Sequence, residues 1–132
     1  MKVLDATFLI DYLNGEESTK EFYEAKGGES ERWVLPIPAY AEALVGEGNF
    51  ANGDIDGARV DLEWTEKYEV DTYMAVIAAE IADEIGPQGP DLTGHDALIA
   101  AVGRHLDAPV VSADTDLTHE ETKRTVDIEE YR

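Results

Sequence analysis

Apolar residues along the chain fall into short runs that are separated by glycine-rich and proline-rich segments. Buried strands typically read as short, continuous apolar stretches, and three runs fit that description. They are residues 2–4 (KVL), 32–37 (RWVLPI) and 109–113 (PVVSA), and residues 125–131 (TVDIEEY) suggest a last edge strand. The segments 27–30, 46–57 and 86–94 are predicted to be turns or loops, because they are rich in turn-forming residues.

The remaining segments repeat their apolar residues every three or four positions, which is the period of a helix. Ser18 is a predicted N-cap, Pro38 suits the first turn of a helix, and Gly86 is a predicted helix end. The predicted helices cover residues 8–13, 18–26, 38–45, 56–68, 72–86 and 93–106.

Short apolar strands alternating with helices predict the fold class α/β, with a central, mainly parallel β-sheet flanked by helices on both faces. No internal repeat and no long linker divides the sequence, so residues 1–132 are predicted to form a single domain. In open α/β sheets, ligands bind beyond the carboxyl ends of the strands. The residues that directly follow each predicted strand are therefore the first candidates for a functional site.

The charge balance is strongly acidic, with 30 Asp and Glu against 10 Lys and Arg and a net charge of −20. Self-repulsion of this size destabilises a compact state in dilute buffer, whereas at molar salt the Debye length falls to about 3 Å and the repulsion is screened. The composition therefore indicates a halophilic protein from a salt-rich cytoplasm, in which most acidic side chains lie on the surface.

The lack of cysteine and of a long apolar segment limits the possible chemistry and the cellular location. The chain has no cysteine, which excludes disulfides, thiolate catalysis and cysteine zinc sites. The apolar stretch near the N-terminus is interrupted by Asp5 and Asp11, so neither a signal peptide nor a membrane span is predicted. We expect a cytoplasmic protein that does not contact a membrane.

Five carboxylates do not fit a solvated surface, because each adjoins a segment predicted to be buried. They are Asp5, Glu42, Asp96, Asp114 and Asp116. Structural roles are possible for most of them: Asp5 as a turn or N-cap acid, Asp96 in a capping box with Thr93, and Asp114 with Asp116 in a turn after a strand. Glu42 lacks charged neighbours at helical spacing and is expected to point into a semi-enclosed space of small residues.

Taken together, these carboxylates are predicted to converge on one edge of one sheet. Like charges held close together are unfavourable unless they are protonated or neutralised, and a divalent cation neutralises them. An all-oxygen ligand set favours Mg²⁺ or Mn²⁺ over zinc. Such a site activates water and supports phosphoryl displacement, which points to phosphodiester hydrolysis.

The segments VLDATFLIDYL, AEALVG, DALIAA and VVSADTDL, in this order and at these spacings, resemble the PIN domain family, most closely the VapC-type toxin ribonucleases of toxin–antitoxin pairs. The resemblance implies Asp5, Glu42, Asp96 and Asp114 as the acidic catalytic and metal-binding residues, with Asp116 as an additional metal ligand. It also implies Mg²⁺- or Mn²⁺-dependent endonucleolytic cleavage of RNA, a homodimer, and a cognate antitoxin whose tail blocks the acidic groove.

Smaller details of the resemblance concern the neighbours of the acids. Thr7 takes the position of a small polar residue that helps to hold the first Asp. Ala6 stands where the family usually has Thr, and Leu117 stands where Phe is frequent. Neither departure removes a ligand. Asp11 resembles a frequent helix acid of the family and is expected to lie outside the ligand set.

Two other functions remain open at this point. Residues Asn52 to Glu63 match the ligand spacing of an EF-hand calcium loop, although Arg59 occupies a position that is normally apolar. Alternatively, the chain is a catalytically silent PIN-like module that binds RNA or a partner protein.

Binding of RNA conflicts with the net charge, because phosphate contacts normally require Lys or Arg. The basic candidates for such contacts are Arg32, Arg59, Arg104 and the pair Lys123–Arg124, and each is compatible with an ordinary surface charge. The three histidines lack the spacing of a zinc hydrolase, and His95 is expected to be a neighbour of the acidic site at most.

Overall fold

A five-stranded sheet organises the fold, and all four of its strand pairings are parallel. The computed structural model describes residues 1–132. The strands are β1 (Lys2–Leu4), β2 (Trp33–Pro36), β3 (Glu66–Tyr68), β4 (Val110–Ser112) and β5 (Ile128–Glu130), in the spatial order β3-β2-β1-β4-β5. The predicted α/β class with a parallel sheet is confirmed, and no strand runs antiparallel.

Seven helices connect and cover the strands. Their bounds are α1 (Ala6–Leu13), α2 (Glu17–Ala25), α3 (Ile37–Asn49), α4 (Ile55–Asp61), α5 (Thr72–Ile85), α6 (Gly94–Leu106) and α7 (Glu120–Thr125), with a 3₁₀ turn at Gly28–Ser30. The chain moves outward from β1 through β2 to β3 and then returns to β4 and β5, so right-handed crossovers place α1–α4 on one face of the sheet and α5–α7 on the other. The predicted helices on both faces are confirmed.

The strand sequences match their places in the sheet. The central strands β1 and β4 are almost entirely apolar and buried, and Val3, Leu4, Val110 and Val111 are fully inaccessible to solvent. The edge strands β3 and β5 carry Glu and Lys, which are typical of exposed sheet edges. The carboxyl ends of β1 and β4 therefore meet at the centre of one edge of the sheet, beside the core.

The segment predicted as one helix over residues 56–68 is two elements in the structure, so that prediction was wrong. Helix α4 ends at Asp61, and Leu62 is buried beneath it. Thr65 closes the turn by donating from its backbone N–H and from its hydroxyl to the carbonyl of Leu62, at 3.1 and 2.6 Å. The next residues then pair with β2, so tertiary pairing overrides the helical period in this region.

Two helix ends also differ from the sequence prediction. Helix α2 begins at Glu17 after Glu16, and Ser18 is not its cap. Helix α3 continues to Asn49, into the segment predicted as loop from residue 46. None of the seven helices combines the length and the apolar character that a membrane crossing requires.

Asp107 terminates α6 in a left-handed conformation, with φ of 51°, and it is the only non-glycine residue of the chain with a positive φ. Glycine adopts this conformation without the steric cost that a Cβ imposes. Asp107→Gly should therefore raise the free energy of unfolding by about 0.5–1 kcal/mol, measured by chemical denaturation in molar KCl. Glu80→Gly, in the exposed interior of α5, should lower it by about 1 kcal/mol; a loss of stability in both variants would contradict the strain assigned to Asp107.

Candidate metal centre

The carboxyl ends of β1 and β4 each lead directly into an aspartate. Asp5 follows β1, is only 2% exposed, and forms the N-cap of α1. Its backbone N–H donates to the carbonyl of Val111 in β4, at 3.1 Å. The predicted N-cap role of Asp5 is thus real, and the same geometry places its carboxylate beside the end of the neighbouring strand.

Two hydroxyl groups fix the Asp5 carboxylate. Ser112 Oγ donates to Asp5 Oδ2 at 2.7 Å and accepts from the backbone N–H of Asp114 at 3.0 Å. Thr7 Oγ1 donates to the same Oδ2 at 2.9 Å and accepts from the backbone N–H of Ala113 at 3.0 Å. Oδ1 of Asp5 accepts no hydrogen bond from the protein, so it remains available to a ligand.

The turn after β4 positions the next two aspartates. Oδ2 of Asp114 accepts from the backbone N–H groups of Asp116 and Leu117, each at 3.0 Å. Leu117 is fully buried and anchors this turn in the core. The predicted turn role of Asp114 is therefore present, and Oδ1 of the same carboxylate has no hydrogen-bond partner within the protein.

Asp96 completes a cluster of three aspartates. One half of the predicted capping box is present, because Thr93, the N-cap of α6, accepts from the backbone N–H of Asp96 at 3.1 Å. Asp96, Asp114 and Asp116 each offer a carboxylate oxygen, and these three oxygens lie within 4.8 Å of one another. Residues about twenty positions apart in sequence therefore share one site, which we call the aspartate cluster.

The aspartate cluster perturbs the titration of Asp96. Burial of its carboxyl group, followed by the nearby charges of Asp114 and Asp5, raises the pKa of Asp96 to about 6. His95 and the hydrogen bond to Thr93 act in the opposite direction. Near neutral pH the site therefore holds closely spaced anions that repel each other, and a cation would relieve that repulsion.

Glu42 does not lie where its sequence neighbours suggested. Its side chain is 50% exposed, so the predicted semi-enclosed space of small residues is wrong. It projects from the outer side of α3, and its Oε2 lies 3.4 Å from Nδ1 of His95. Nδ1 of His95 lies 3.8 Å from Oδ1 of Asp96, so the histidine stands between Glu42 and the aspartate cluster.

The donor set of the cluster fits a hard divalent cation. It consists of carboxylate oxygens of Asp96, Asp114 and Asp116, and Asp5 lies outside this group but near enough for its charge to raise the pKa of Asp96. Mg²⁺ and Mn²⁺ prefer such oxygen ligands, whereas zinc prefers nitrogen and sulfur. The chemistry of the residues agrees with Mg²⁺ or Mn²⁺ and does not choose between them.

The calcium-loop interpretation of Asn52 to Glu63 does not fit the structure. An EF-hand loop wraps its ligands around the ion, whereas residues 55–61 form the helix α4. Asp54 is the N-cap of that helix, and its Oδ1 accepts from the backbone N–H of Gly57 at 2.9 Å. Asp56 points into solvent and pairs with Arg59. The match to EF-hand ligand spacing arises because a helix-capping aspartate precedes a helix in a chain that is rich in acidic residues.

Every basic side chain considered for RNA contact has an acidic partner. The pairs are Arg32–Glu66, Arg59–Asp56, Arg104–Glu84, Lys123–Glu130 and Arg124–Glu121. Exposed pairs of this kind add little stability, but they neutralise the charge that a phosphate would need. Asp11 is similarly engaged, because it accepts from the hydroxyl of Tyr131 at 2.6 Å and from Arg132 at 2.9 Å. It therefore anchors the C-terminus and lies outside the cluster.

Ser112 was missed at the level of sequence, although it links Asp5 to Asp114. A serine at the end of a short apolar strand reads as a strand residue, and its link to Asp5 depends on a parallel pairing across about 100 residues. We expect Ser112→Ala to lower the free energy of unfolding by about 1–2 kcal/mol, because a buried carboxylate loses a donor.

Thermal and chemical denaturation in molar KCl would measure this effect. Ser30→Ala is the matched control, because the Ser30 hydroxyl is exposed and bonds only to the carbonyl of Gly27. The control should change stability by less than about 0.5 kcal/mol. Equal effects in the two variants would show that the Ser112 hydroxyl has no special structural role.

Comparisons with known proteins agree with this architecture. Among curated proteins, no sequence gives a significant match to the chain. Solved structures that share the fold include VapBC2 from Rickettsia felis bound to a DNA fragment from their promoter, with TM-score 0.79, 16% identity, and coverage of 98% of this chain and 97% of the other.

Two further solved structures give the same result. DNA-bound VapBC from Salmonella typhimurium matches with TM-score 0.75, 20% identity and coverage of 99% and 98%. VapBC-5 from Mycobacterium tuberculosis, described as a member of the VapBC family of toxin–antitoxin systems, matches with TM-score 0.70, 22% identity and coverage of 99% and 97%. At these identities the likeness concerns the fold. The sequence itself matches the family model of the PIN domain over residues 2–122, and the chain therefore belongs to the PIN domain family.

Proposed function

We propose that this protein is a metal-dependent endoribonuclease and the toxin of a toxin–antitoxin pair. The observation that carries the proposal is the aspartate cluster, in which three carboxylates lie within 4.8 Å of one another, with the charge of Asp5 at the end of β1 near enough to act on Asp96. Repulsion among these carboxylates destabilises the folded state unless a bound cation neutralises their charge. Membership of the PIN domain family and the shared fold with VapBC proteins support the same activity.

The proposed roles of the residues follow from their contacts. Asp5, Asp96, Asp114 and Asp116 would hold Mg²⁺ or Mn²⁺, and Glu42 would lie at the rim of the site. A divalent ion bound there lowers the pKa of water and stabilises charge on the phosphoryl oxygens. Thr7 and Ser112 keep one oxygen of Asp5 occupied, so the other oxygen would be free to bind the ion. The turn fixed by Asp114 holds Asp116 beside it.

RNA is the proposed substrate despite the net charge. Because the basic candidates are all paired with acids, phosphate attraction would come from the bound cation and not from the protein surface. High salt screens the remaining repulsion. We therefore propose weak, metal-dependent RNA binding that is optimal at molar KCl.

The proposed partners follow from the family and the fold neighbours. The solved relatives described above are VapBC proteins, and two of these structures also contain DNA. We propose a cognate antitoxin that covers the acidic site of this chain, and a homodimer as the toxin assembly. A catalytically silent PIN-like module is the competing function, and it predicts binding of a partner without cleavage.

The proposed function is tested by incubating purified protein with end-labelled RNA in molar KCl containing Mg²⁺, Mn²⁺ or EDTA. We expect internal cleavage with either metal and none in EDTA. Products should lack a 2′,3′-cyclic phosphate, because water and not the 2′-hydroxyl attacks the phosphorus. Cleavage that persists in EDTA with cyclic products would contradict the metal mechanism. No cleavage with any metal, together with a stably bound partner, would favour the silent module.

A further inference from the structure

Asp116 differs from Asp5 and Asp114 in how its carboxylate is held. The carboxylates of Asp5 and Asp114 accept hydrogen bonds from the protein through Oδ2. The carboxylate of Asp116 forms no hydrogen bond and no ion pair, and the residue bonds only through its backbone. Both of its carboxylate oxygens are therefore available to a ligand, and their position depends on how firmly the backbone of Asp116 is held.

The backbone of Asp116 is fixed at its N–H and at its carbonyl. The N–H donates to Oδ2 of Asp114 at 3.0 Å, within the turn that follows β4. The carbonyl accepts from the hydroxyl of Thr122, on α7, at 2.7 Å. The backbone N–H of His119 reaches the same carbonyl at 3.4 Å. The hydroxyl of Thr122 therefore makes the shorter of the two contacts to this carbonyl.

Thr122 has an unusual hydrogen bond for a threonine in a helix. A helical Thr hydroxyl commonly donates to the carbonyl three or four residues before it, as Thr125 does toward Glu121 at 3.0 Å. Thr122 instead donates to a carbonyl six residues before it, outside α7. Its side chain is fully buried, and it is the only buried residue of that helix. A buried hydroxyl requires a partner, and here the partner belongs to the residue that carries a site carboxylate.

We propose that Thr122 is a positioning residue, whose hydroxyl holds the backbone of Asp116 so that the Asp116 carboxylate stays within the aspartate cluster. This inference rests on the metal site of the proposed function. Groups that orient metal ligands without touching the ion typically change metal affinity by about 10- to 100-fold when they are removed. Because Thr122 acts through a backbone carbonyl and not on the carboxylate itself, we expect an effect at the lower end of this range.

Mn²⁺ titration in molar KCl, with electron paramagnetic resonance detecting free Mn²⁺, tests the role of the hydroxyl. Thr122→Val keeps nearly the same shape and lacks the hydroxyl, so it should raise the dissociation constant about tenfold, and Thr122→Ala should do the same. Thr122→Ser keeps the hydroxyl and loses a buried methyl group. It should therefore be less stable in chemical denaturation, yet bind Mn²⁺ within about threefold of the parent.

Thr125→Val is the matched control, because the Thr125 hydroxyl lies on the same helix and bonds only within it. This variant should bind Mn²⁺ like the parent. A double-mutant cycle then tests whether Thr122 acts through Asp116. Asp116→Asn should weaken Mn²⁺ binding, and adding Thr122→Val should weaken it no further.

Four results would overturn the inference. Parental Mn²⁺ affinity in Thr122→Val and Thr122→Ala would remove the positioning role and leave the metal site intact. Equal losses of affinity in Thr122→Val and Thr122→Ser would show that packing of α7 matters and the hydroxyl does not. Additive losses in the cycle would show that Thr122 acts independently of Asp116. Absence of Mn²⁺ binding to the parent would instead remove the proposed metal site, and the positioning role with it.

Discussion

Replacing Asp96 or Asp5 by Asn is expected to reduce RNA cleavage by about a thousandfold while the protein remains folded. Each change removes one negative charge from the site and keeps the size and shape of the side chain. A loss of several kcal/mol of transition-state stabilisation is typical when a catalytic metal is lost, and about 4 kcal/mol corresponds to a thousandfold in rate. Asp5→Asn also retains the oxygen that accepts from Thr7 and Ser112. Initial rates with end-labelled RNA in molar KCl and Mn²⁺ provide the measurement.

A control for this experiment must change charge without changing the site. Asp83→Asn removes one negative charge from the exposed face of α5 and should cleave at the parental rate within about twofold. If Asp5→Asn and Asp96→Asn also cleave at the parental rate, the assignment of the site is wrong. Unfolding of either variant would be visible in the circular dichroism spectrum and would exclude that variant from the comparison.

The second large effect concerns the stability of Asp96→Asn relative to the parent, and its sign depends on whether a divalent metal is bound. The pKa of Asp96 is raised from 3.8 to about 6 in the folded chain, so the native state binds this proton more tightly than the unfolded state. Stability is therefore lost as pH rises from about 4 to 6, and the loss persists above pH 6. A pKa shift of this size lowers the free energy of unfolding by about 2–3 kcal/mol once Asp96 is fully ionised. Solvent screens this effect little, because the side chain is only 16% exposed. In EDTA at pH 8, Asp96→Asn should thus be more stable than the parent by about that amount.

Saturating Mn²⁺ should reverse this order. A ligand present at about a hundred times its dissociation constant stabilises the native state by about 2.7 kcal/mol, and Asp96→Asn should not gain this stabilisation. Chemical denaturation of both proteins at pH 8, with EDTA or with Mn²⁺, measures both signs. At pH 4 in EDTA the two proteins should have nearly equal stability, because Asp96 is then largely protonated. A parent that is already more stable than Asp96→Asn in EDTA at pH 8 would contradict the raised pKa.

Much of the fold could be predicted from short-range sequence signals. The apolar runs of β1, β2 and β4 are continuous because both faces of those strands are buried. Such a run can be recognised in the sequence without knowing which strands it pairs with. Strand β3 was not predicted, because Glu66 and Lys67 give it the polarity of a helix surface. Its identity depends on pairing with β2, which a local pattern does not encode.

Part of the candidate site could likewise be predicted from the sequence, and part of it could not. Asp5, Asp114 and Asp116 follow apolar strands, so parallel topology alone predicts that they meet, and the structure places them at the same edge. The surroundings of Glu42 and the hydrogen bonds of Ser112 and His95 depend on contacts between segments distant in sequence. On α3, Ala39 and Ala43 are buried, whereas Val45 is exposed and the carboxylate of Glu42 faces solvent and His95, a difference that helical spacing alone does not reveal.

The central claim is that the aspartate cluster binds a divalent cation, and diffraction from crystals grown with Mn²⁺ tests it most directly. Mn²⁺ gives an anomalous signal that locates the ion without reference to activity. We predict an anomalous peak among Asp96, Asp114 and Asp116, within about 2.5 Å of their carboxylate oxygens, and no such peak in crystals of Asp96→Asn. A peak at residues 52–63 instead, or no peak at the cluster at saturating Mn²⁺, would contradict the metal centre and the nuclease mechanism that depends on it.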